Sequence, residues 1–247
     1  SSPNGMSTSQ PGTIIGSARQ GSVTEGNWAG FQIFEQQPVP PSVTGGVAHP
    51  GLEARRIMDK LDFSDTAPWP SGPDGSGFTL AKTAPTSGTA DPGNWRTSSQ
   101  RNGSPGAGNS FGSLPALSFN EITSTLDPTF ALELHNHGAS AISLNGLVIA
   151  SSNPIYNDYL LPDMTLNAGG FYQIEASSLG YVPADNDRLF LHTTGRAQLI
   201  DTIRADNAPQ ARFPNGTGPW LRPTTSSIGN ANSVTLQDGI VINEIFY

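Results

Sequence analysis

The chain repeats itself, and a duplicated string must fold twice into similar units. LSFNEI at 117–122 and IVINEI at 240–245 both read apolar-x-apolar-Asn-Glu-Ile, with Asn120 and Asn243 123 residues apart. Four more blocks recur in the same order. AGFQIFE (29–35) matches GGFYQIE (169–175), and 47–68 matches 190–209, which aligns Asp59 with Asp201. WPSGPDGSGFTL (69–80) matches ARFPNGTGPWL (211–221), and RNGSPGAGNS (101–110) matches TSSIGNANS (225–233). From the aligned Phe31 and Phe171 to the aligned Asp the spacing is 28 and 30 residues.

In the second copy 81 residues separate Asn120 from Asp201, but only 58 precede Asp59. The repeat therefore predicts a fragment of a longer array: 1–112 as a module lacking its opening strands, 113–236 as a complete module, and 237–247 as the first strand of another. The Gly/Ser/Pro-rich stretch 103–115 is the expected linker. A module without its opening strands would have an open sheet edge, where the strand 240–247 is expected to dock by strand addition.

Hydrophobic period sets the element type. In FALELH (130–135), Phe130, Leu132 and Leu134 share one face and Ala131, Glu133 and His135 the other, which predicts a half-buried strand. AISLNGLVIA continues with Asn145-Gly146 as a turn or bulge, and FYQIE, RLFLH and QLIDTI give three more short strands. LEARRIMDKL (52–61) is compatible with a helix, but its counterpart GRAQLIDTI reads as a strand, so both are read as strands. Turn signals every 8–12 residues predict all-β, antiparallel sandwich modules in tandem. The 28 Gly and 21 Pro suit such turns and disfavour long helices.

Composition excludes whole classes of partner. The net charge is −8 with two lysines, Lys60 and Lys82, so a phosphate backbone would be repelled and no nucleic-acid partner is expected. No apolar run is long enough to insert in a membrane as a helix. Without cysteine, disulfides and thiolate metal sites are impossible. The balance points to an extracellular or cell-surface, secreted bacterial protein.

Several motifs of the second copy resemble the lamin tail domain family, an immunoglobulin-like sandwich. They are the Asn-Glu strand end in SFNEI, Glu133-Leu134-His135-Asn136, Gly138, Leu144-Asn145-Gly146, the GGFYQI hairpin, Asp187 before LFLH, and Leu199-Ile200-Asp201. In the first copy the late segment DFSDTAPWPSGPDGSGFTL, with DPGNWRTSS and GSPGAGN, carries the resemblance, which spans roughly 30–235. Leu147 stands where an aromatic is common. The second copy lacks the PWP and NW elements, so its late loops are expected to be shorter and less ordered. The resemblance implies a non-catalytic module in a large exported chain, beside enzyme or lectin-like domains.

Residues with chemistry are read against plainer roles. Ser110 in GNSFG fits a nucleophile pattern, but that motif needs a strained turn between strand and helix, so no catalytic residue is assigned. His135 and His137 lack a third ligand, and no metal residue is assigned. Asp185 and Asp187 in PADNDRLF lack the Gly and distal Glu of an EF-hand, so calcium at an oxygen-rich loop is the weaker alternative and no cofactor is expected. Asn120-Glu121 is expected to fix the first strand at a sheet edge, and Glu133 to be an outer-face charge or part of a shared network. Trp69, Trp95 and Trp220 lie in or near long loops. They either cap the sandwich ends or form a binding surface for a sugar ring or a partner. The expected role is a non-enzymatic spacer or adhesion module, its partners being neighbouring domains of the same polypeptide and a cell-surface protein or polysaccharide. The alternative is a carbohydrate-binding module that targets an attached enzyme, which needs two exposed coplanar aromatic rings.

Overall fold

The computed structural model describes the backbone of strands within 14–64, and residues 61–64, 68–235 and 239 with their side chains. By contacts the chain forms two compact units. One is Ser1–Ser71 with Leu80–Arg96; the other is Gly72–Thr79 with Thr97–Tyr247. The expected docking of 240–247 lies outside the described residues.

The first unit holds strands β1 (Ile14–Gln20), β2 (Trp28–Pro38), β3 (Ser42–Thr44), β4 (Val47–His49) and β5 (Glu53–Ser64). β1-β2-β5 is an antiparallel sheet, and β3 pairs with β4. β5 carries residues 53–61 of the ambiguous LEARRIMDKL segment as a strand. A two-stranded sheet of β6 (Phe78–Lys82) and β7 (Trp95–Arg101) follows.

The second unit is an antiparallel sandwich. Its strands are β8 (Leu117–Ile122), β9 (Ala131–Asn136), β10 (Ile142–Ser143), β11 (Val148–Ser151), β12 (Tyr159–Leu160), β13 (Thr165–Leu166), β14 (Phe171–Glu175), β15 (Arg188–His192), β16 (Leu199–Arg204), β17 (Gln210–Arg212) and β18 (Trp220–Leu221). One sheet runs β14-β9-β8-β17-β18 and the other β12-β11-β15-β16, while β10 pairs with β13. Helix α1 is a single turn, Ala176–Leu179. The core follows the period of two. Leu117, Phe119, Leu132, Leu134 and Ile174 of the first sheet meet Ile149, Leu189, Leu191 and Ile203 of the second, each at most 3% exposed. Burying each such side chain contributes roughly 1.5–3 kcal/mol.

Alternation also places residues on the outer faces, and here the structure departs from expectation. β9 is buried at all six positions, not half-buried. The reason is cover: the chain after β17 folds back over its outer face. β8 is likewise buried throughout and lies in the middle of five strands, so Asn120-Glu121 does not sit at a sheet edge. On the other sheet Ala150, Phe190 and Leu199 point outward and are covered by Phe78. Asp74 pairs with Arg188 at 2.6 Å, and Arg101 donates to the Ser76 carbonyl at 2.9 Å. These contacts group 72–79 and 97–112 with the second unit, whereas the repeat grouped them with the first module.

Candidate functional site

A dense polar arrangement lies on the outer face of the five-stranded sheet. A bulge between Phe119 and Glu121 leaves Asn120 out of the β8–β9 pairing and sets Glu121 directly opposite Glu133. Asn120, Glu121 and Glu133 are all 0% exposed. The Asn120 amide donates to Glu133 Oε1 at 2.8 Å and to Asn215 Oδ1 at 3.2 Å, and its own Oδ1 accepts from Gly216 N at 2.8 Å. Glu121 accepts the Ser226 hydroxyl at 2.7 Å, the Ser227 N–H at 2.9 Å and the Ser227 hydroxyl at 2.7 Å. Glu133 Oε2 accepts the Gly229 N–H. Asn232 closes the group, donating to the carbonyls of Asn120 (3.0 Å) and Arg212 (2.8 Å).

Two glycines make the fold-back possible. Gly216 has φ +72°, and a Cβ there would lie 2.8 Å from His137 and 2.9 Å from His135. Gly229 has φ +89°, which lets its N–H turn inward to Glu133. The late loops expected to be less ordered are therefore pinned by at least seven buried or half-buried bonds. Burial drives the Glu133 carboxyl up to about 7, opposed by the Asn120 and Gly229 bonds and reinforced by Glu121.

A second polar joint ties the two sheets. Asp201 on β16 accepts the Phe119 N–H of β8 at 2.9 Å and both contacts of Arg212, at 3.1 and 3.2 Å. Arg212 also donates to the Phe119 carbonyl at 2.9 Å and stacks over Trp220 at 4.5 Å. Desolvation pushes the Asp201 carboxyl upward, while Arg212 and the N–H donors hold it down. With neither partner more than 18% exposed, this is a mostly buried ion pair with its donors and acceptors filled.

The other residues singled out in the sequence are scattered. Asn136, 0% exposed, donates to the carbonyls of Ser140, Leu166 and Asn167 and so holds the loops at its end of the sheet. His135 is buried and stacks on Phe171 at 4.3 Å, with Nδ1 3.1 Å from the Gly170 carbonyl, whereas His137 is exposed. Asp187 caps its own turn by accepting the Ala184 N–H at 2.9 Å, and Asp185 accepts from Asn186. Ser110 is exposed in irregular chain, its hydroxyl 3.2 Å from that of Ser99. Among the described residues no three His, Asp or Glu side chains converge in a way that could hold a metal ion.

Trp69, Trp95 and Trp220, the described tryptophans, make no flat platform. Trp69 and Trp95 are half-buried, 6.4 Å apart and inclined by 49°, with Phe63 against Trp69. Trp95 Nε1 donates to the Thr89 carbonyl at 2.9 Å, and Lys82 lies over its ring. Trp220, in the other unit, is half-buried beneath Arg212. Tyr156 and Tyr181 stack on each other at 4.1 Å and 4°.

Sequence reasoning missed three features. His192 is 1% exposed, lies beside Phe78 and Phe190, and has an unpartnered Nδ1; burial lowers it to about 4, reinforced by nearby Arg101. The C-terminal half of the Glu121–Glu133 network was visible only as the repeat block TSSIGNANS. A cleft of about 500 Å³ beside that network is lined by Asp127, Thr129, Gln173, Glu175, Ser226 and Ile228 among others. Set against family models and curated proteins, the chain matches none.

Proposed function

We propose that this chain is a non-catalytic structural unit of the lamin tail, immunoglobulin-like type, repeated in tandem within an exported bacterial protein, where it serves as a spacer or surface-attachment element. One observation carries the reading. The polar residues of the resembling motifs, Asn120, Glu121, Glu133, Asn136 and Asp201, bond chiefly to the unit's own backbone and hydroxyls. A side chain consumed in this way ties strands and loops together and leaves little for a substrate. The network also joins β8, the first strand of the sandwich, to residues 226–232, so tension along the chain loads buried hydrogen bonds.

Single-molecule stretching of the intact chain tests this. A spacer unfolds in discrete steps, and Glu121→Ala lowers the force of the step assigned to the second unit. Gradual extension without a step removes the spacer role. A glycan array is the companion assay. Saturable polysaccharide binding that is lost on Trp69→Ala with Trp95→Ala replaces this reading with the carbohydrate-binding one.

A further inference from the structure

The Glu121–Glu133 pair has a feature that a purely static joint does not need. Two carboxylates stand directly opposite on neighbouring strands, wholly buried, and among the described residues every hydrogen-bond partner of either is neutral. Cross-strand neighbours hold their Cβ atoms about 5 Å apart, and like charges so placed repel. In a dry shared site one carboxyl ionises easily and the other late, so the proton belongs to the pair. The donors are divided unequally between the two. Glu121 receives two hydroxyls and a backbone N–H, while Glu133 receives one amide and one N–H.

Among the described residues no compensating cation faces the pair. On β8 the facing group is Glu121 itself. On β9 it is His135, which burial and nearby His137 hold toward its neutral form. On β14 the residue opposite Glu133 is the uncharged Gln173, followed by Glu175. On β17 Arg212 is committed to Asp201. The covering residues 226–232 contain no ionisable side chain.

We propose that Glu121 and Glu133 form a proton-gated clasp, which holds residues 226–232 tightly when the pair carries one negative charge and loosens them when it carries two. The device rests on the structural reading above and regulates the same joint. In mildly acidic surroundings the chain leaves the sandwich through a stiff exit, and in neutral to alkaline surroundings through a looser one.

Amide hydrogen exchange on the full chain, corrected for the intrinsic pH dependence of exchange, reads this directly. Protection of the Ser227 and Gly229 amides is expected to fall by about tenfold or more between pH 5 and pH 8, and more steeply than that of Leu134 or Leu191. Glu133→Gln keeps an acceptor but cannot ionise, and its protection at these amides stays flat. Glu121→Gln limits the pair to a single charge, so protection at these amides is again expected to stay flat, which serves if the first variant does not fold. Equal slopes in all three proteins, or a flat profile in the unaltered chain, overturn the clasp. Discrete unfolding steps with a flat exchange profile would discard the clasp and keep the spacer, whereas stepless extension with a pH-dependent profile would do the reverse.

Discussion

Glu133 and His192 should pull the stability of the second unit in opposite directions with pH. Glu133 is raised from 4.5 to about 7 in the folded chain, so the folded state holds a proton that the unfolded state releases. Its contribution is fully present below pH 4.5 and is lost as pH rises to about 7. His192 is lowered from 6.5 to about 4, so the unfolded state takes up a proton that the folded state refuses. Its contribution is present above 6.5 and is lost as pH falls to about 4. Each displacement is worth about 3 kcal/mol, an order-of-magnitude figure from the free energy of one pKa unit. Because the two groups lie on opposite outer faces and share no partner, their effects should add. The contributions of these two groups then nearly cancel between pH 4.5 and 6.5. Urea unfolding followed by circular dichroism from pH 4 to 8 separates the two. Relative to the unaltered chain, His192→Leu should lose about 3 kcal/mol as pH rises through this window, and Glu133→Gln should gain about as much. Differences between variants cancel the groups common to both. Two variants with the same slope as the parent would refute the assignment of these shifts to buried, uncompensated side chains.

Three substitutions test the joints. Asp201→Ala strands the Arg212 guanidinium and frees the Phe119 N–H, and should cost about 3–5 kcal/mol in urea unfolding. Asn232→Ala removes donors to two carbonyls and should cost about 1–3 kcal/mol, with faster exchange at Gly229. Gly216→Ala puts a methyl against His135 and His137 at positive φ and should cost more than about 1 kcal/mol; an unchanged melting temperature would show that the loop relaxes freely.

The elements themselves were legible because their signals are local. The alternation of FALELH placed Leu132 and Leu134 in the core and Glu133 on the opposite face. The Asn145-Gly146 turn falls between β10 and β11, and Asp187 stands at the entry to β15, as spacing alone suggested. Whether the second face of β9 is wet or dry was not legible, because what covers it comes from far along the chain. Glu121 meets Ser227 across 106 residues, and Glu133 meets Gly229 across 96. The same holds for the opposite sheet, where Phe78 covers Phe190 and Leu199.

Sequence by itself determined that this chain folds as short antiparallel strands with one apolar face each, since a period of two and frequent turns leave little else that buries those residues. Tertiary structure alone decided that the outer faces of β8, β9 and the end of β15 are also closed, and therefore that Glu121 and Glu133 share a dry site. Period is a property of neighbours, but desolvation is set by whichever distant segment comes to rest on the sheet, and that depends on the whole chain having folded.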